Sequence, residues 1–316
     1  MSKRKMPDLD YSPFANLAVK TIIGANGRQN IAVHISGIID DIRPPIICIA
    51  DYYRNMADFE EFIYQFRIVF DADWPIVLID LAGRGRSENR RASKDYSSMN
   101  DAGDVATALG ALGIERAIFL GQGHGGRVIM ALGCKCPQLV CASILIDAAP
   151  VLYAPGLVRL RDNLLMLMRI KNPKQFRNAA TKIYSGSYPA ANEDIIGKMI
   201  ARVFFQPKAK NYFPIFDPAL LDRLQNIEIA DVFEPQWALF ATLNKVPLML
   251  MRTQLSDQLE RTTFEHMGNL RTDAIQLIIA DQGSPALLSG ADEVGAIADF
   301  ARHVAKMRKG NAIVSG

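Results

Sequence analysis

Long apolar runs are missing from this sequence. No stretch approaches the ~18 uninterrupted apolar residues of a membrane helix. The basic residues Lys3-Arg4-Lys5 have no apolar segment behind them, as a secretory leader would require. A cytoplasmic chain with no membrane partner is therefore expected. An excess of one charge is missing too. The net charge is +3 over 316 residues, whereas a nucleic-acid footprint is one-sided, so no nucleic-acid partner is expected. The densest basic cluster, Arg84, Arg86, Arg90 and Arg91, reads as solvated surface. Cysteines are few: Cys48, Cys134, Cys136 and Cys141 form no C-x-x-C pair, and histidines near them are scarce. Zinc is a poor reading of that pattern, and reduced, buried thiols a better one. Metals and cofactors are accordingly not expected. Repeats and low-complexity tracts are absent.

What is present is a full globular core, with 49% hydrophobic and 22% charged residues. Residues 1–15 are polar and proline-punctuated and read as a flexible lead-in. Leu17–Ile23 and Ile31–Ile38 read as strands joined by the turn Gly24-Ala25-Asn26-Gly27. Apolar runs Ile46–Ala50, Trp74–Leu81, Ala117–Leu120 and Ala142–Ile146 are long enough for buried strands. They alternate with helical patterns over Met56–Phe70, from Met99 to Leu112 with Ser98 as cap, and over Arg127–Cys136. Such alternation calls for an α/β fold with a mostly parallel central sheet flanked by helices.

From Val151 to Lys245 the rhythm changes. Leu157–Ile170, Gln175–Tyr184, Glu193–Phe204 and Pro218–Ile227 read as helices with no strong strand among them. Met166–Met168 would lie on the core-facing side. Strands resume at Val246–Met251 and Ala274–Ile279, with helices near Thr262–Leu270 and Glu293–Lys306. The expected division is a core of 16–150 and 246–316 interrupted by a helical cap at 151–245. A cap there would sit over the carboxyl ends of the strands, where such folds bind ligands.

The stretch with most chemistry is Gly121-Gln122-Gly123-His124-Gly125-Gly126, between an apolar strand and a helix. It is similar to the nucleophile elbow G-x-S-x-G of the α/β-hydrolases, in which the serine sits on a strained strand-to-helix turn. Asp80-Leu81-Ala82-Gly83-Arg84-Gly85-Arg86-Ser87 resembles that superfamily's D-x-x-G-x-G-x-S loop. Asp231–Leu239, with Trp237, resembles the segment returning from the cap. Val246–Leu250 resembles the penultimate core strand, and Ser256-Asp257 the pair that carries the acid. The order and spacing of these motifs are those of the bacterial branch with a helical cap, over about Ala18 to Ala305.

The resemblance implies a Ser-His-Asp triad, and only part of it is here. Gly123 stands at the nucleophile and Ser284, in Gln282–Leu287, at the histidine. Asp257 is retained. The oxyanion loop reads Ala50-Asp51-Tyr52-Tyr53 where the family begins with His-Gly. Serine-hydrolase chemistry is therefore not expected, since glycine has no nucleophile and serine no basicity near pH 7. The expected pocket is lined by Asp51, Tyr52, Gln122, Gly123, His124, Asp257 and Ser284, and binds a small apolar, acidic or ester-like molecule. The main-chain N–H of His124 is expected to point into it. The rival reading is an enzyme using His124 and Asp257 as acid–base groups, and a third is a protein-binding surface at Tyr52 and Tyr53. Asp80, Ser87 and Asp147 read as structural turn residues. A homo-oligomer is left open.

Overall fold

The computed structural model describes residues 7, 11–27, 29–40, 42–70, 73–207 and 211–314. Its centre is an eight-stranded sheet of order β1-β2-β4-β3-β5-β6-β9-β10. The strands are β1 Val19–Ile23, β2 Asn30–Ser36, β3 Ile46–Ile49, β4 Ile76–Ile79, β5 Ala117–Gln122, β6 Val140–Ile146, β9 Leu248–Thr253 and β10 Ile275–Ile279. A separate two-stranded hairpin comprises β7 Phe204–Phe205 and β8 Phe213–Pro214. The strand β2 runs antiparallel to both β1 and β4, and all other pairings in the main sheet are parallel.

Strands β3 to β6 are buried at every position, which is why their sequences read as apolar runs, broken by a polar side chain only at Ser143 and Gln122, rather than as alternations. The helices are α1 Glu60–Val69, α2 Ser98–Ala111, α3 His124–Lys135, α4 Ala154–Arg169, α5 Pro173–Ser187, α6 Glu193–Ala201, α7 Ala219–Asp222, α8 Trp237–Ala241, α9 Arg261–Leu270 and α10 Ala291–Val314. One sheet face, carrying Ile46, Cys48, Leu78, Ile118 and Ile144, packs on Phe62 and Phe66 of α1 and Ile297 and Phe300 of α10. The opposite face, carrying Ile47, Ile49, Val77, Phe119 and Leu145, packs on Val105 and Leu109 of α2, Val128 of α3 and Phe264 of α9. Neighbouring residues of one strand thus serve two cores. Each fully buried Phe or Ile adds roughly 1.5–3 kcal/mol of transfer free energy.

The segment between β6 and β9 holds α4 to α8 and the β7–β8 hairpin. It builds a third cluster around Leu164, Leu167, Phe176, Tyr188, Met199, Phe216 and Leu220. Hydrogen bonds fasten it to the sheet's loops: Tyr188 Oη to the Pro285 carbonyl at 2.6 Å, Asp217 N to the Gly83 carbonyl at 2.7 Å, and Gln236 N to the Pro150 carbonyl at 2.9 Å.

Several expectations need correction. Of the expected flexible lead-in, residues 1–6 and 8–10 lie outside the described residues. Ser12–Phe14 is a 3-10 turn, and Phe14, 1% exposed, packs into the core. Ser97 rather than Ser98 caps α2, accepting the Asn100 amide at 3.2 Å. The Pro218–Ile227 helix is regular only over Ala219–Asp222, and Phe204 belongs to a strand. Met166 is exposed, because the inward stripe of α4 runs through Leu164 and Leu167. Cys48 and Cys141 are buried, but Cys134 is exposed at the end of α3 and Cys136 partly so. Arg84 and Arg90 are not solvated surface: both are buried, for a reason that belongs to the site.

Candidate functional site

The chain turns from β5 into α3 at Gly123, whose φ of +48° and ψ of −112° lie where L side chains are strained. The flanking glycines allow close packing. A Cβ at Gly125 would strike the Ile49 carbonyl, and one at Gly121 the backbone of Gly125 and Gly126. The elbow therefore has its tight geometry with no side chain at its tip.

The space above the tip is filled by Asp51, which follows β3. A Cβ placed on Gly123 would overlap the Asp51 carboxylate. Oδ1 of that carboxylate accepts the His124 main-chain N–H at 2.7 Å. This amide begins α3, where the helix dipole and free N–H groups favour an anion. It points where the sequence reading placed it, but the chain's own carboxylate holds it. Burial pushes the Asp51 carboxyl above its ordinary value, against the opposing effect of its bonds to the His124 and Tyr52 amides.

The His124 ring turns away from Asp51's acceptor toward α2. Its Nε2 lies 2.9 Å from Asp101 Oδ2, and Tyr52 packs edge-on at 5.4 Å between ring centroids. A carboxylate accepts, so neutral His124 carries its proton on Nε2. Burial lowers the imidazole's proton affinity below the ordinary value, opposed by Asp101. Asp101 is fully buried and bonded by Arg90 Nη2 at 2.6 Å, with Arg84 Nη1 at 3.4 Å; Arg90 also reaches Asp104 at 2.8 Å. Burial alone would raise the Asp101 carboxyl, but Arg84, His124 and Arg90 together hold it well below the usual carboxylate range. The arginines misread as surface are thus the counter-ions of this carboxylate. The signal available in the sequence was a pair of acids, Asp101 and Asp104, embedded in the otherwise apolar face of α2.

Two cavities meet at Asp51. The larger, of about 360 Å³, lies over the elbow and is lined by Tyr52, Tyr96, Gly123, His124, Arg127, Asp147, Leu157, Arg223 and Phe233, among others. The smaller, of about 70 Å³, includes Tyr53, Tyr184, Tyr188, Asp257 and Ser284. Asp51 and Gln258 line both. Of the residues expected in one pocket, Asp51, Tyr52, Gly123 and His124 share the larger cavity, while Asp257 and Ser284 join Asp51 in the smaller. Gln122 lines neither: it is buried, with Nε2 donating to the Ala286 carbonyl at 3.2 Å. Asp257 is 3.4 Å from Arg159, and burial raises its carboxyl. His124 is bonded to Asp101 and not to Asp257. Tyr52 and Tyr53 are half-buried, with Tyr52 Oη donating to the Leu220 carbonyl at 2.9 Å and Tyr53 packed on Phe216.

Asp147 ends β6 with φ +48° and accepts the Thr253 N–H and hydroxyl at 3.0 and 2.7 Å. Burial pushes its carboxyl up to about 6 despite those bonds. A third groove, of about 460 Å³, runs between the end of β2 and α1. Lys198 there faces Glu61 at 3.7 Å, and Arg67 donates to Ser36 Oγ at 2.8 Å. Among the described residues, no group of three or more His, Cys, Asp or Glu is placed to hold a metal, and no helix is long and apolar enough to cross a membrane.

A family model described as alpha/beta hydrolase fold matches residues 45–242. The chain is 30% identical over 99 residues to 2-succinyl-6-hydroxy-2,4-cyclohexadiene-1-carboxylate synthase of Pectobacterium atrosepticum, a match covering 31% of this chain and 36% of that protein. Across the curated relatives it matches, the aligned part spans 28% to 46% of their length. Among solved structures, an alpha/beta hydrolase from Novosphingobium aromaticivorans superposes with a TM-score of 0.77 at 22% identity, over 90% of this chain and 98% of that one. E-2-(acetamidomethylene)succinate hydrolase gives 0.71 at 18% identity, over 90% and 98%.

Proposed function

The chain belongs to the α/β-hydrolase fold family, and from that premise we propose a member without serine-hydrolase activity, which binds a small apolar, acidic or ester-like molecule in a capped cavity over the elbow. One observation carries this reading. Gly123 offers no hydroxyl at the elbow tip, and the Asp51 carboxylate occupies both the space above it and the His124 amide, so the tip has neither a nucleophile nor a free His124 amide to receive an oxyanion. The helical segment from α4 to α8 acts as the cap, supplying Leu157, Arg223 and Phe233 to the cavity wall.

A second reading rests on a different observation. His124 is bonded through Nε2 to a buried carboxylate, as a general base is when a third group orients it. In that reading the protein is an enzyme of non-serine acid–base chemistry in which Asp101 orients His124, while Asp257, the other acid–base group of the sequence reading, lines the smaller cavity.

A fluorophosphonate probe discriminates serine chemistry from both. The native protein is expected to remain unlabelled, and stoichiometric labelling of any serine would overturn both readings. A bound molecule recovered chemically unchanged supports the first. Turnover that disappears in His124→Ala, with the fold intact by circular dichroism, supports the second.

A further inference from the structure

The cavity over the elbow is lined by two groups of opposite charge, Arg127 and Asp51, neither of which has an ion pair among the described residues. Arg127, on the first turn of α3, is partly buried; it donates to the Ala149 carbonyl at 3.1 Å and to Gln236 Oε1 at 3.0 Å, both neutral acceptors. Among the described residues it has no ion pair, and burial lowers its proton affinity. Two bonds leave most of the five guanidinium N–H donors available. Asp51, 5% exposed, stands at the floor and likewise has no ion pair among the described residues. The remaining charged groups of the wall are spent or solvated: His124 on Asp101, Asp147 on Thr253, and Arg223 exposed at the rim.

A buried charge without a partner is costly, and a ligand that completes both would relieve the cost at both ends. The floor excludes a carboxylate there, because Asp51 already fills the anion site of α3 and would repel a second one. The ligand's acid therefore belongs on the arginine side, opposite to the orientation the elbow suggests. The same cavity is lined by Tyr52, Tyr96, Leu157 and Phe233, side chains suited to packing on a ring. A volume of about 360 Å³ accommodates one small aromatic molecule.

We propose that the cavity takes a small aromatic carboxylic acid bearing a hydrogen-bond donor at its far end, with the carboxylate on Arg127 and the donor on Asp51. This inference rests on the reading of the cavity as a ligand site. It adds the polarity and class of the ligand.

The test is isothermal titration of the native protein with 4-hydroxybenzoate, benzoate and 4-hydroxybenzamide. Benzoate lacks the donor and the amide lacks the charge. Binding of 4-hydroxybenzoate at least tenfold tighter than either analogue is expected, because a site built around polar groups rejects the molecule that leaves one unpaired. Arg127→Met should erase the preference for the acid over the amide, and Arg127→Lys should restore part of it. Asp51→Asn should reduce the preference for the hydroxyl, since a charged acceptor makes the stronger bond. Equal binding of all three, or binding of the amide alone, would overturn the proposal and leave the cavity a ligand site. Failure of all three to bind would overturn both. The comparison of ligands on the native protein stands even if a variant does not fold.

Discussion

At residue 123 the absent side chain and the neighbouring carboxylate are one feature. Gly123→Ser would put a Cβ at φ +48° and drive it into Asp51. The backbone conformation alone costs on the order of 1–3 kcal/mol for a side-chain-bearing residue, and the overlap adds to it. Asp51→Ala removes the overlap, so Gly123→Ser should be less destabilising in that background. Urea denaturation of the single and double variants measures the coupling, and strict additivity would show that Asp51 does not stand where serine would.

Asp147 permits a second measurement at this scale. Its folded-state carboxyl is raised to about 6 by burial, so the folded protein holds the proton more tightly than the unfolded chain does. The contribution to stability is fully present below the ordinary carboxylate value and is lost as pH rises through 6. Relative to Asp147→Asn, the native protein should lose about 2 kcal/mol of stability between pH 4 and pH 7. Parallel urea titrations at the two pH values check this, and a constant difference between the proteins would refute it.

Among the elements, α2 and the arginine loop beside it act as a unit. Asp101 accepts from Arg90 and His124, with Arg84 beside it, so one substitution on α2 reaches three partners. Removing one member of a buried charge pair typically costs about 3–5 kcal/mol, and Asp101→Asn should fall in that range by thermal or chemical unfolding. It should also lower the His124 proton affinity further, since the neighbouring anion is lost. Proton NMR titration of the imidazole in native and variant protein tests the direction, and a rise would contradict the assignment. This unit was also the hardest to read from sequence. Arg84 and Arg90 resemble a solvated cluster when only their neighbours in the chain are considered. Their counter-charges lie on α2, the helix that follows the same loop, and only the fold of that loop back onto the helix brings the two together.

Over the whole molecule, legibility followed burial and length. The central strands were readable because β3 to β6 are covered on both faces and so are apolar at nearly every position, Gln122 and Ser143 excepted. The β7–β8 hairpin escaped notice because two-residue strands leave no period to detect. The motif order pointed to the strand-to-helix turn at Gly123, but it could not say that Asp51 folds onto it. That contact joins the ends of two parallel strands adjacent in space and separated in sequence. Stability should be distributed in the same way. Amides of β3, β4 and β5 should exchange slowest with deuterium. Those of 228–234 should exchange fastest, as Ile229 is 67% and Val232 94% exposed there. Exchange mass spectrometry resolves the two classes, and equal protection would argue against this distribution.

The Asp51–His124 contact also bears on reversibility. A serine regained at position 123 alone meets the Asp51 carboxylate. Loss of Asp51 alone leaves the His124 amide without its acceptor, at a cost of about 1–3 kcal/mol for a buried donor. Both single steps toward a serine site therefore lead downhill in stability, and only their combination removes the conflict. The absent side chain at Gly123 and the carboxylate of Asp51 thus hold each other in place, so single substitutions can reshape the cavity wall more readily than they can open the elbow tip.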